Sequence, residues 1–176
     1  SLKVCCRTQL VLYFGIKNYW ISLNYLADQV IEYIGSGESK CIKVNYVLED
    51  TPLGTIGAIS KISNFKNDYI LITNSDVLTN LDYEKFFLDF LEKDADFSVV
   101  TIPYNVTIPY AVVEIDDGKI TGFKEKPRYT YFSNAGIYLV KRSMLKHIPN
   151  DSFYNATDLI DALIKQKNID ARGIEL

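Results

Sequence analysis

Cysteine is scarce in this chain, and what there is forms no pattern. Cys5, Cys6 and Cys41 are odd in number and lack CxxC spacing, which disfavours both a disulfide framework and a zinc site. Such usage suits a reducing cytosol. Long apolar runs are missing as well: none approaches the length of a membrane-spanning helix, and no signal peptide opens the sequence. Nor is there an excess of positive charge. A net charge of −3 supplies no general attraction to nucleic acid or to an anionic membrane. With 176 residues and 48% hydrophobic content, the chain has the material for a real core. It is expected to fold as one domain, residues 1–176, in the cytoplasm.

What is present centres on Tyr69-Ile70-Leu71-Ile72-Thr73-Asn74-Ser75-Asp76. The apolar run is too short for a helix and reads as a strand buried on both faces. It stops at three short polar side chains, at the carboxyl end, where open α/β sheets bind ligands. Asp76 there can hold Mg²⁺ against substrate phosphates, because Mg²⁺ takes only one or two protein carboxylates. Asn, Ser and Asp are also ordinary turn formers, so a plain strand-to-loop turn is the competing reading.

Upstream, residues 3–14 read equally as a helix or a strand. Tyr19 to Leu23 reads as a strand, Asn24 as the N-cap of a helix ended by Gly35 or Gly37, and Ile42 to Leu48 as a second strand. Strand, helix, strand predicts parallel strands joined by a right-handed crossover. Next comes Pro52-Leu53-Gly54-Thr55-Ile56-Gly57-Ala58. Its glycines let a backbone approach a flat ligand, Thr55 can bond a base edge, and the helix expected to follow, to Ile62, offers N–H groups to an anion. The same glycines also suit turns and internal packing.

Downstream, Asp82 caps a helix whose Tyr83, Phe86, Phe87, Phe90 and Leu91 form an apolar stripe. Phe97 to Ile102 is a strand, Pro103 and Pro109 bracket a loop, and Asp116-Asp117-Gly118-Lys119 turns a hairpin. Its second strand delivers Glu125, able to accept from a polyol, and Lys126, a point charge suited to phosphate. A solvated Lys-Glu-Lys triplet is the plainer reading of those residues. Asn134 and Gly136 precede a strand over 137–140, and Asn134 offers a donor and an acceptor to a sugar hydroxyl. The lone His147 is expected at the surface. Asn155 caps a last helix with Leu159, Ile160, Leu163 and Ile164 inward, and residues 170–176 begin one more strand.

Four segments in this order, Pro52 to Ala58, Asn74-Ser75-Asp76, Phe123-Lys124-Glu125-Lys126-Pro127 and Asn134-Ala135-Gly136-Ile137-Tyr138, resemble the landmarks of the sugar-1-phosphate nucleotidylyltransferases. The likeness is to members such as mannose-1-phosphate guanylyltransferase, and it runs from about Gly15 to about Ile169. It implies a three-layer, doubly wound α/β domain with a mainly parallel sheet. It also implies that a nucleoside triphosphate, GTP by preference, and a sugar 1-phosphate are joined, with Mg²⁺ as cofactor. By matching position, Gly54, Thr55, Gly57 and Asn74 would bind the nucleotide, and Asp76 the metal. Tyr110, Glu125, Lys126, Asn134 and Gly136 would bind the sugar phosphate, with Asp76 and Lys126 the catalytic pair.

The family's Gly-rich loop with its Arg and Lys finds no match in residues 1–14, and its second metal-binding Asp, after a Trp, finds none before Leu176. Tyr110-Ala111 stands where the family tends to have Tyr-Gly. The domain is therefore expected to be incomplete at both ends and slow or inactive alone. A non-catalytic binding or regulatory subunit is the alternative, and a glycosyltransferase using Asn74-Ser75-Asp76 a third reading. The absent first strand would leave a gap beside the Trp20 and Asp76 strands, for residues 4–14 or a second copy of the chain to fill.

Overall fold

The computed structural model describes residues 15–63 and 65–166, together with the backbone of 171–175. Strand β1 (Asn18–Leu23), helix α1 (Ala27–Ile34) and strand β2 (Lys43–Leu48) form the expected unit, with β1 and β2 parallel from Asn18↔Lys43 to Leu23↔Leu48. The helix begins later than its sequence pattern indicates. Asn24 does not cap it; its side-chain amide donates to the Glu49 carbonyl at 2.7 Å, and Leu26, at φ 56°, precedes the first turn. The Ser22 hydroxyl donates to the Glu49 carboxylate, which also accepts the Leu53 N–H at 2.8 Å. Glu49 thus ties the carboxyl ends of β1 and β2 to the loop that follows.

The main sheet has the order β3-β7-β4-β8, from β3 (Tyr69–Thr73), β4 (Phe97–Thr107), β7 (Arg128–Lys141) and β8 (Ala171–Glu175). β7 runs antiparallel to both its neighbours, while β4 and β8 are parallel. Three strands therefore point one way and β7 opposes them, so the hydrogen-bonded pairs are mixed. The α/β class and its layering stand.

Sequence runs explain the burial. Ile137, Tyr138, Leu139 and Val140 are all buried because alternate side chains enter two different cores. Tyr138 and Val140 meet Leu159 and Leu163 of α3 (Ala156–Lys165) on one face. Ile137 and Leu139 meet Phe86 and Phe90 of α2 (Tyr83–Glu92) on the other. Strand β3 divides likewise, Ile70 and Ile72 facing the first core and Leu71 the second. Asp82 caps α2 by accepting the Lys85 N–H at 3.0 Å. The two helical stripes each leave one member out: Leu91 is 39% and Ile164 64% exposed.

Several boundaries differ from the sequence pattern. β4 continues through Pro103, which no loop brackets. β8 pairs with β4 only as far as Thr101, so Pro103 sits where one side of the strand is unpaired among the described residues and a missing N–H is tolerated. β7 starts nine residues before Ile137, at Arg128. The segment after Ile56 is a 3-10 turn, Gly57–Lys61, not an α-helix. The hairpin is as expected: β5 (Val112–Asp116) and β6 (Lys119–Lys124) are joined through Asp117 and Gly118, both at positive φ. Among the described residues β1 pairs only with β2, and β3 only with β7. Residues 4–14, one candidate for the gap between them, lie outside the described residues.

Candidate functional site

β3 ends at Thr73, and the chain leaving it forms one wall of a cleft of about 330 Å³ with Asn74, Asp76, Val77 and Leu78. The opposite wall is Ile102 of β4 with Asn134, Ala135, Gly136 and Tyr138 of β7. This is the carboxyl end of β3, where the sheet topology favours a ligand.

A bulge in β7 shapes the cleft. Val99 pairs with Tyr138 and Thr101 with Asn134, so four steps along β7 oppose two along β4. Gly136 makes this possible at φ 72°, and a Cβ there would lie 2.7 Å from Asn74 Nδ2. Across the gap the Asn74 N–H donates to the Gly136 carbonyl at 2.9 Å. Within the bulge the Gly136 N–H donates to Asn134 Oδ1 at 2.9 Å, and Asn134 Nδ2 donates to the Tyr138 hydroxyl oxygen at 2.8 Å. Tyr138 is 3% exposed, its ring against Phe97 at 5.8 Å between centroids, and it is among the residues lining the cleft.

Asp76 is the one charged side chain among the described residues that line the cleft. Among the described residues no three His, Cys, Asp or Glu side chains cluster, so an all-protein metal cage is not available there. A single carboxylate beside amides matches Mg²⁺, which completes its shell with water and substrate oxygens.

The other candidates lie elsewhere. Gly54 and Gly57 approach the chain's own backbone: a Cβ at Gly54 would meet the Tyr154 carbonyl at 2.7 Å, and one at Gly57 the Ser152 carbonyl at 2.4 Å. The Ile56 and Gly57 N–H groups both donate to Tyr154 O at 3.1 Å, so the N–H groups read as facing an anion face a carbonyl. Thr55 Oγ1 accepts the Ala156 N–H at 2.8 Å, and the Thr55 N–H donates to Asn155 Oδ1 at 3.3 Å. The loop is thereby clasped to the start of α3, where burial, with Asp158 and Asp161 behind it, pushes the Tyr154 phenol above its ordinary 10.0. Tyr110, Glu125 and Lys126 are exposed and are not among the residues lining the cleft. Lys126 stands at φ 42° immediately before Pro127, a costly conformation for a non-glycine residue. Its neighbour Lys124 pairs with Glu114 of β5, and that bond holds the Lys124 ammonium above its ordinary 10.5.

Residues 6–173 match the family model described as nucleotidyl transferase. The chain belongs to the nucleotidyl transferase family. Among relatives in this family, the D-glycero-alpha-D-manno-heptose 1-phosphate guanylyltransferase of Aneurinibacillus thermoaerophilus is 28% identical over 75% of this chain and 58% of its own length. The bifunctional protein GlmU of Methanococcus maripaludis is 29% identical over 92% of the chain and 39% of its own length. The mannose-1-phosphate guanylyltransferase of Mycobacterium tuberculosis is 28% identical over 77% of the chain and 39% of its own length. The chain thus spans less than two thirds of the length of each of these relatives. HddC from Yersinia pseudotuberculosis superimposes with a TM-score of 0.66 at 25% identity, over 94% of this chain and 72% of that one. The nucleotidyl transferase fold accounts for the layered α/β architecture.

Val77, Leu78, Ile102, Ala135 and Tyr138 line the cleft without a site role assigned from the sequence, although Ala135 and Tyr138 stand within the fourth landmark. Ile102 lies in what reads as strand core, and Tyr138 sits in the apolar run Ile137 to Val140. The available signal is the tyrosine hydroxyl itself, since a buried phenol needs a hydrogen-bond partner.

Proposed function

We propose that this chain is a sugar-1-phosphate nucleotidylyltransferase of the mannose-1-phosphate guanylyltransferase type. The observation that carries the reading is the gathering of Asn74, Asp76, Asn134 and Gly136, from two landmarks sixty residues apart in sequence, around one cleft at the end of β3. In the reaction, a phosphate oxygen of the sugar 1-phosphate attacks the α-phosphorus of GTP. A new P–O bond forms, the α–β bridging P–O bond breaks, and pyrophosphate leaves with the electron pair.

Asp76 would hold Mg²⁺, which neutralises phosphate charge during such a displacement. Asn74 borders the nucleotide side and Asn134 with Gly136 the sugar side. Tyr110, Glu125 and Lys126 belong to the same proposed sugar-phosphate set, and the strained backbone at Lys126 is what supports a role for that residue. Gly54, Thr55 and Gly57 would present the loop's outer surface to the base, their inward groups being engaged with α3.

The alternative is a non-catalytic sugar-phosphate-binding or regulatory subunit. A pyrophosphate-release assay with GTP and mannose 1-phosphate separates the two. Turnover of about 1 s⁻¹ or more establishes an enzyme, binding of mannose 1-phosphate without turnover establishes a binding subunit, and neither binding nor turnover sinks both.

A further inference from the structure

We infer that Tyr138 is a fixed hydrogen-bond donor for the phosphoryl group of the bound sugar phosphate, and that Asn134 is the positioning residue that sets its polarity. The inference rests on the sugar-phosphate reading of the cleft. It follows from the direction of two hydrogen bonds.

The Gly136 N–H can only donate, so the atom of Asn134 that faces it at 2.9 Å is the amide oxygen. The amide orientation is then decided, and the atom facing the Tyr138 hydroxyl at 2.8 Å is the NH₂ nitrogen. An NH₂ group donates, so the tyrosine oxygen accepts. Its own proton must point elsewhere, and among the described residues no hydrogen bond from it is formed. Tyr138 is 3% exposed, its ring is held against Phe97, and it lines the cleft together with Asn134, whose amide meets its hydroxyl. The proton that is not engaged with Asn134 is thus available to an acceptor oxygen of a ligand bound in the cleft.

The chain Gly136 N–H to Asn134 to Tyr138 therefore aims one donor into the cleft. A sugar hydroxyl can either donate or accept, so a fixed donor confers little selectivity for it. A phosphoryl oxygen only accepts. The chemistry recognised is thus a pure acceptor, the phosphate of a sugar phosphate.

The test is calorimetric titration of the full chain with mannose 1-phosphate, with thermal unfolding measured in parallel. Tyr138→Phe keeps the ring in its core and removes the donor. It is expected to weaken binding about tenfold, the scale of one hydrogen bond to a charged group, with the unfolding midpoint little changed. Asn134→Asp keeps the acceptor for Gly136 but turns the second contact into an acceptor, so the tyrosine proton is drawn out of the cleft. It should also weaken binding about tenfold or more in the parent. In the Tyr138→Phe background the part of its effect carried through the tyrosine is gone, and only the part from Asn134's own contact and the added charge remains. The two losses should therefore be less than additive, a coupling that mere loss of packing does not produce. If Tyr138→Phe fails to fold, Asn134→Asp decides, and unaltered binding there overturns the inference. Binding by the parent that neither substitution weakens overturns the inference and leaves the functional reading standing. No binding of mannose 1-phosphate by the parent overturns the functional reading, and the inference falls with it.

Discussion

Asn134 Nδ2 and the Tyr138 hydroxyl oxygen lie 2.8 Å apart although the two residues are four positions apart on one strand. In a regular strand that spacing is about 13 Å along the axis. The bulge at Gly136 compresses it to the length of two steps on β4, from Val99 to Thr101, and the tyrosine ring covers the remainder. The local backbone of one glycine thus decides which polar atoms face the cleft.

Gly136→Ala is accordingly expected to be damaging. The new Cβ would press on Asn74 Nδ2 at 2.7 Å and would sit on a residue at φ 72°. Left-handed backbone costs a non-glycine residue about 1–2 kcal/mol, and displacing Asn74 adds to it. Chemical denaturation should show a loss of about 2 kcal/mol, the upper end of that range. Unchanged stability would mean the bulge can relax without Gly136.

Thr55→Ala tests the clasp between the Pro52–Gly57 loop and α3. Thr55 Oγ1 accepts the Ala156 N–H at the first turn of that helix, the role of a cap supplied from a distant segment. Losing a cap costs about 0.5–2 kcal/mol. The loss should appear in urea denaturation with no nucleotide present, which a purely base-reading threonine would not show.

The fold was legible where periodicity and burial agree. Alternation in 19–48 and the helix-ending Gly35 pointed to the parallel βαβ unit, although Asn24 proved not to be its cap, and the aromatic stripe of α2 pointed to a buried helix face. Pairing was less legible, because nothing in the local pattern of β7 says that it inserts antiparallel between β3 and β4. Its first nine residues, polar and aromatic with Asn134 and Gly136 among them, break the period of two, so only Ile137 to Val140 read as strand. The cleft was half legible: Asn74, Asp76, Asn134 and Gly136 carry polar or conformational signals, whereas Tyr138 is hidden in an apolar run. The glycines of the 54–57 loop had two readings, and sequence alone does not choose between a ligand and the chain's own carbonyls as the surface they approach.

An alkaline limit should be visible at Lys141. Its ammonium lies 2.9 Å from the Asp94 carboxylate and 3.0 Å from that of Asp96, and its Nζ also donates to the Asp94 carbonyl at 3.1 Å. Those bonds, led by the one to Asp94, hold the group above its ordinary 10.5. The folded state then binds this proton more tightly than the unfolded state. The contribution is complete below the unfolded value and is lost as pH rises through the folded one. Lys141→Met should therefore lower the melting temperature at neutral pH, and its deficit against the parent should shrink above pH 10.5. A deficit independent of pH would assign Lys141 a packing role.

The last expectation concerns Lys126, exposed at φ 42° directly before Pro127. A lysine held there costs the fold about 1–3 kcal/mol, and among the described residues its side chain forms no hydrogen bond or ion pair that would offset it. Strain of this kind persists where the residue serves something other than stability. Lys126→Gly removes both the Cβ penalty and the ammonium, so the two roles separate in one variant. Folding stability should rise by about 1 kcal/mol, at the low end of that strain, because glycine also loosens the unfolded chain. Affinity for mannose 1-phosphate should fall by about 1.5–3 kcal/mol, the worth of a hydrogen bond to a charged group. Lys124→Gly is the control: it breaks the pair with Glu114 and should leave the affinity nearly as it was. Denaturant unfolding and calorimetric titration on the three proteins decide the matter. A Lys126→Gly variant that is more stable and binds as well as the parent would return Lys126 to the solvated-charge reading, with Pro127 alone setting the bend.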